Sequence, residues 1–135
     1  MKTVFADSGY WVALLDPHDD LHARARQVAG SLLCPVVTSE MVLVEVLAYF
    51  SGKHAKARYG AYSVIRTLKS DPQVTIIQQT TQLFDRALAL YGKTQDKAWS
   101  LTDCASFEIM HQKRIKEALA YDHHFEQAGF VALLR

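Results

Sequence analysis

Cysteine is scarce in this chain: 135 residues hold two, Cys34 and Cys104. They lie far apart and neither sits at a ligand spacing, which argues against a zinc site or a disulfide framework. Both are expected to pack as small, reduced apolar residues. Pro17, Gly52, Pro72, Gly92 and Gly129 mark ends of elements, and no linker is present. No low-complexity segment or internal repeat breaks the chain, so residues 1–135 read as one domain. No unbroken apolar run approaches the roughly 18 residues of a membrane span. The opening Met1-Lys2-Thr3-Val4-Phe5-Ala6-Asp7 reaches a charge too soon for a signal peptide. The expectation is a soluble, cytoplasmic protein with no membrane contact. His18 and His22 are four apart but have no Glu between them as a metalloprotease helix needs, and they read as surface decoration.

Acidic residues are absent from one long stretch. Between Glu45 and Asp71 none occurs, while Lys53, Lys56, Arg58, Arg66 and Lys69 are basic. Tyr49, Phe50, Tyr59 and Tyr62 are interleaved with them. Such a stretch suits a polyanion held by its phosphates with bases stacked on rings. A solvated helix face with tyrosines turned inward explains it equally well.

What is present is an alternation of strand and helix signals. Thr3–Ala6 is a short strand, followed by a turn at Asp7-Ser8-Gly9 and a helix over Tyr10–Leu15. A second helix is predicted over about Asp20–Leu33, from apolar residues at helical spacing. Pro35-Val36-Val37 reads as a strand, and Thr38-Ser39 as the cap of a helix running to Ser51. Another helix spans about His54–Leu68, then Val74–Ile77 is β-branched and extended. Leu83, Ala87, Leu90 and Tyr91 mark a helix ending at Gly92. Thr102 is taken as the cap of a helix from Asp103 to about Arg114. Ala118–Tyr121 reads as a strand closing on Asp122, a helical turn ends at Gly129, and Val131–Leu134 is the last strand. Such alternation implies an α/β fold with a parallel sheet covered on both faces.

Sites in parallel sheets form beyond the carboxyl ends of the strands. Asp7 and Asp122 sit at such ends, and Asp103 opens an apolar helix near the same edge. Each alone has a plain structural explanation, because Asp is favoured in caps, first turns and strand-ending loops. Glu45 is different. Its helix, Met41 to Phe50, is apolar almost all round, and Met41, Val42, Ala48 and Tyr49 offer no cation three or four positions away. An ionised carboxylate there costs several kcal/mol unless something cationic sits beside it. The competing explanation is a lone polar stripe facing water. If all four carboxylates converge on a hard divalent cation, their repulsion is offset, and oxygen-only donors favour magnesium or manganese. With those four removed from the 14 acidic residues, ten remain against 15 basic ones, a net of +5. An acidic metal pocket on a basic body suits a nuclease.

The same residues resemble a known family. Asp7-Ser8-Gly9-Tyr10-Trp11-Val12-Ala13-Leu14-Leu15-Asp16 resembles the opening of a VapC-type PIN domain. Thr38-Ser39 with Glu45 resembles its second acidic block, Trp99 to Phe107 around Asp103 the third, and Ala120 to Phe130 around Asp122 the fourth. The resemblance implies a PIN fold of about five parallel strands flanked by helices, and a Mg2+- or Mn2+-dependent endoribonuclease whose metal ligands are Asp7, Glu45, Asp103 and Asp122. It further implies an RNA substrate, a toxin role beside a small antitoxin, and a homodimer. Tyr121 departs from the small or hydroxyl residue common before the last Asp. Asp96, Ser100 and Thr102 are candidates for assisting roles. A PIN nuclease of RNA processing outside a toxin–antitoxin pair, or a catalytically silent RNA-binding module, are the alternatives. A response-regulator receiver and a dehalogenase-like phosphatase do not fit: the acids and lysine of the first are missing, and Asp7 is followed by Ser8-Gly9 where the second needs Asp-x-Asp.

Overall fold

The computed structural model describes residues 2–135. Strands β1 (Val4–Ala6), β2 (Val36–Ser39), β3 (Val74–Ile77), β4 (Glu117–Leu119) and β5 (Val131–Ala132) form one sheet in the order β3-β2-β1-β4-β5. Every neighbouring pair runs parallel, as the alternating pattern predicts. The helices are α1 (Ser8–Leu15), α2 (His22–Ser31), α3 (Glu40–Ser51), α4 (Ala55–Leu68), α5 (Thr81–Lys93), α6 (Leu101–Lys113) and α7 (His123–Gln127). None among the described residues is long and apolar enough to cross a membrane.

The central strands are buried on both faces, which is why β1 and β2 carry unbroken runs of buried residues. β3, at one edge, is only half-covered. The core is dominated by Phe5, Phe107, Phe125, Ile109, Met110 and Leu119, all essentially inaccessible to water. Phe107 has its ring 4.9 Å from Trp99, 5.0 Å from Phe125 and 5.8 Å from Phe130. Such a residue costs about 3–5 kcal/mol when truncated. Its position matters for function. Phe107 lies one turn beyond Asp103 and Phe125 three residues beyond Asp122, so one aromatic cluster fixes the first turns of α6 and α7 together.

Four local readings change. Thr38 belongs to β2, not to a helix cap: its hydroxyl donates to the Ala6 carbonyl at 2.8 Å and accepts from the Trp11 indole at 3.2 Å. Ser39 alone caps α3, accepting from the Val42 N–H. Ser100, not Thr102, caps α6, in a reciprocal box with Asp103. β4 stops at Leu119 and β5 at Ala132, because β1 reaches only to Ala6 opposite Leu119, and β5 pairs with only Glu117 and Ala118. His22 is no decoration, since its Nδ1 lies 2.7 Å from the Ala13 carbonyl near the end of α1. Gly129 takes φ +94, a conformation glycine adopts without strain, in the turn from α7 to β5.

Candidate active site

Parallel strands put all their carboxyl ends on one edge, and the four acidic residues collect there. Asp7 leaves the central strand β1, its N–H donating to the Leu119 carbonyl at 3.1 Å. It occupies the N-cap position of α1, and its backbone carbonyl accepts from Tyr10 and Trp11. Its side chain makes no capping hydrogen bond. The capping explanation therefore fails for Asp7. Its residue is only 8% exposed, and burial pushes its carboxyl up to about 7. The Ser8 N–H pulls it back down, while the fields of Asp103, Glu45 and Asp122 raise it further.

Glu45 projects from α3 to the same place. It is half-buried rather than an open stripe, and its Oε1 accepts the Ser8 hydroxyl at 2.8 Å. Ser8 thus ties Glu45 to the residue next to Asp7. Among the described residues neither Asp7 nor Glu45 has a Lys, Arg or His ion-pair partner.

For Asp103 and Asp122 the capping explanation holds, and each still faces the cleft. Asp103 Oδ2 accepts from the Ser100 N–H at 3.0 Å and lies 3.1 Å from His124 Nδ1. Asp122 caps α7 through Oδ1, which accepts the His124 N–H at 3.1 Å, and its Oδ2 lies 3.2 Å from the same imidazole nitrogen. His124 therefore bridges two of the four carboxylates. Reading the sequence missed this residue, although its place two positions after a helix-capping Asp was a signal. Among the described residues, the donor atoms lying within 4.8 Å of one another belong to Asp122, His123 and His124, not to the four carboxylates as a set. His124 is interposed between Asp103 and Asp122.

All four carboxylates, with Ser8, Ser100 and His124, line one open cleft of about 590 Å³. Arg135 stands at its edge but is committed elsewhere: its Nε lies 3.2 Å from Glu126, and it donates to the Tyr121 carbonyl at 3.0 Å. Tyr121 is half-exposed at the rim and displaces none of the acids. Of the other candidates, Asp96 pairs with Lys97 at 2.8 Å outside the cleft, and Thr102 does not line it. Cys104 is buried, which with the neighbouring Asp103 and Glu108 pushes its thiol up to about 11 and leaves it inert as a nucleophile.

The donor set fits a hard divalent cation. Among the described residues Asp7 is a nearly buried carboxylate without a cationic partner, in the field of three other acids, and the cleft's side-chain nitrogens come from Arg135, His123 and His124.

The family model for the PIN domain matches residues 4–131. The chain belongs to the PIN domain family. Among curated PIN relatives it is 29% identical over 128 residues to the 23S rRNA-specific endonuclease VapC20 of Mycobacterium tuberculosis, covering 95% of each chain. The crystal structure of that protein, described as a sarcin–ricin loop cleaving toxin, matches at a TM-score of 0.84 and 30% identity, covering 95% of this chain and 96% of that one. FitAcB from Neisseria gonorrhoeae matches at a TM-score of 0.64 and 17% identity, covering 96% and 94%, a likeness of fold alone.

Proposed function

We propose that this PIN protein is a divalent-metal-dependent endoribonuclease acting as the toxin of a toxin–antitoxin pair. The observation that carries the metal-dependent reading is Asp7, buried, uncompensated and facing Glu45, Asp103 and Asp122 across one cleft. Those four residues would hold Mg2+ or Mn2+, directly or through waters. When bound, the ion would supply Lewis acidity toward a phosphate oxygen and lower the pKa of a water so that it gives up a proton and serves as the nucleophile. Ser8 fixes the Glu45 carboxylate, and His124 keeps Asp103 and Asp122 at a set separation. Attack by water leaves a 5′-phosphate and a 3′-hydroxyl. No 2′-hydroxyl takes part, so preference for RNA comes from binding.

The likeness to VapC20 makes the sarcin–ricin stem-loop the substrate to test first. That protein is described as a toxin, and the proposal adds a small antitoxin as partner of this chain. The homodimer implied by the family has apolar surface available, with Val44 on α3 at 62% exposure and Phe84, Leu88 and Tyr91 along one face of α5 also uncovered. The test is cleavage of a labelled sarcin–ricin RNA with Mn2+, Mg2+ or chelator. Metal-dependent cuts with 5′-phosphate ends are expected. Cutting that survives the chelator would overturn the reading.

A further inference from the structure

We propose that a second cleft, at the corner where the turn after α1 meets the α3–α4 turn, is a subsite for one unstacked nucleotide of the RNA strand leaving the catalytic cleft. The inference rests on the endoribonuclease reading and names how its substrate is held. The cavity measures about 570 Å³, a size suited to a single nucleotide. Its floor is apolar, made by Leu15, Phe50 and Val64, while Lys53, His54 and Lys56 stand on its rim. An apolar slot under a cationic rim is what a splayed base and its phosphate require.

The two rim lysines, Lys53 and Lys56, make no ion pair among the described residues. Lys53 instead lies 4.6 Å above the Tyr49 ring. One carboxylate, Asp16, lies in the wall; hydrogen bonds hold its carboxyl below the usual range, so it keeps its charge, and Lys53 is among the cations near it. Oδ2 accepts the Tyr49 hydroxyl at 2.6 Å and Oδ1 accepts the His18 N–H at 2.9 Å.

The placement links this cleft to the catalytic one. Glu45, Tyr49 and Lys53 follow at four-residue intervals, so Tyr49 sits one turn beyond Glu45 and Lys53 follows directly after the end of α3. At 1.5 Å per residue the run covers about 12 Å. A stacked strand advances about 3.4 Å per phosphate and an unstacked one farther, so that length spans only a few nucleotides. A strand cut at Glu45 and lying along this side of α3 reaches the cationic rim with its next nucleotides.

Two variants test the proposal separately. Lys53→Ala/Lys56→Ala removes the phosphate contacts. Gly60→Leu fills the cavity without touching a charge, since a Cβ at Gly60 meets nothing within 4 Å. Affinity for a labelled single-stranded RNA is read by anisotropy in chelator across a salt series, and KM by cleavage with Mn2+. The double variant is expected to bind about tenfold more weakly, with the slope of log affinity against log salt reduced by about 1.4. Gly60→Leu is expected to weaken binding with the slope unchanged, and both should raise KM while keeping the parent's Mn2+-induced Tm shift. Unchanged RNA affinity and KM in both variants would overturn the subsite even if the parent cleaves RNA. A parent that cleaves nothing would sink the nuclease reading, while the binding measurement still decides the subsite. A poly-glutamate peptide binding as tightly as the RNA would also overturn it, marking the cleft as one for acidic protein segments.

Discussion

Asp7→Asn should shift the stability of the metal-free protein increasingly in the variant's favour as pH rises. The Asp7 carboxyl is lifted from 3.8 to about 7, chiefly by burial, with its acidic neighbours adding to the effect. Between those values the folded protein keeps a proton that the unfolded chain releases, so stability falls as pH rises through the window. At pH 5 the deficit is roughly 1.5 kcal/mol, and above pH 7 it saturates at roughly 4 kcal/mol. Asparagine keeps the shape without the charge. Its buried amide carries its own penalty of about 1–3 kcal/mol when incompletely hydrogen-bonded, but that penalty does not vary with pH. The difference between variant and parent should therefore shift in the variant's favour by roughly 2.5 kcal/mol from pH 5 to pH 8. For a chain of this size that is about 10 °C in relative Tm. Urea denaturation in chelator at pH 5, 6, 7 and 8 reads it, and titrating groups remote from Asp7 cancel between the two proteins, whereas Glu45, Asp103 and Asp122 are coupled to it and add a smaller change of their own. A gap independent of pH would refute the claim that Asp7 is a buried, uncompensated carboxylate.

Three further outcomes are expected. Glu45→Gln should lose most of the Tm gain that millimolar Mg2+ or Mn2+ gives the parent, because ligand-linked stability follows affinity for the folded state; an undiminished gain would remove Glu45 from the site. Ser106→Ala should be neutral or stabilising by up to about 1 kcal/mol, since the buried Ser106 hydroxyl has no hydrogen-bond partner; a loss above 1 kcal/mol in urea denaturation would contradict this. Thr38→Val should cost about 1–3 kcal/mol despite its equal volume, by stranding the Trp11 indole N–H and the Ala6 carbonyl; unchanged denaturation would show those bonds to be unimportant.

The parallel sheet was legible because local patterns and the fold agree: β-branched runs at Val36-Val37 and Val74–Ile77 became β2 and β3. Errors came where a long-range bond decides. Nothing near Thr38 announces that its hydroxyl will span to Ala6 and Trp11. Nothing near Tyr121 reveals that β1 pairs with β4 only as far as Leu119, leaving the Ala120 carbonyl a single bond from the Leu134 N–H. At the site, all four acids proposed from the sequence line one cleft, and Glu45 was readable because a carboxylate on an apolar helix needs a reason. Asp7 separates from an ordinary cap only in three dimensions, where its side chain caps nothing. His124 was harder still, since its role depends on Asp103, 21 residues earlier in the chain.

The measurement that bears most directly on the account is cleavage of a labelled RNA by the parent, Asp7→Asn and Asp103→Asn, each first shown to be folded by circular dichroism. Mn2+-dependent cutting by the parent is expected, with near-complete loss in both variants and retained fold in Asp7→Asn because shape is preserved. Full activity in both variants would contradict it, because then the carboxylates gathered at the sheet edge would not be performing the chemistry.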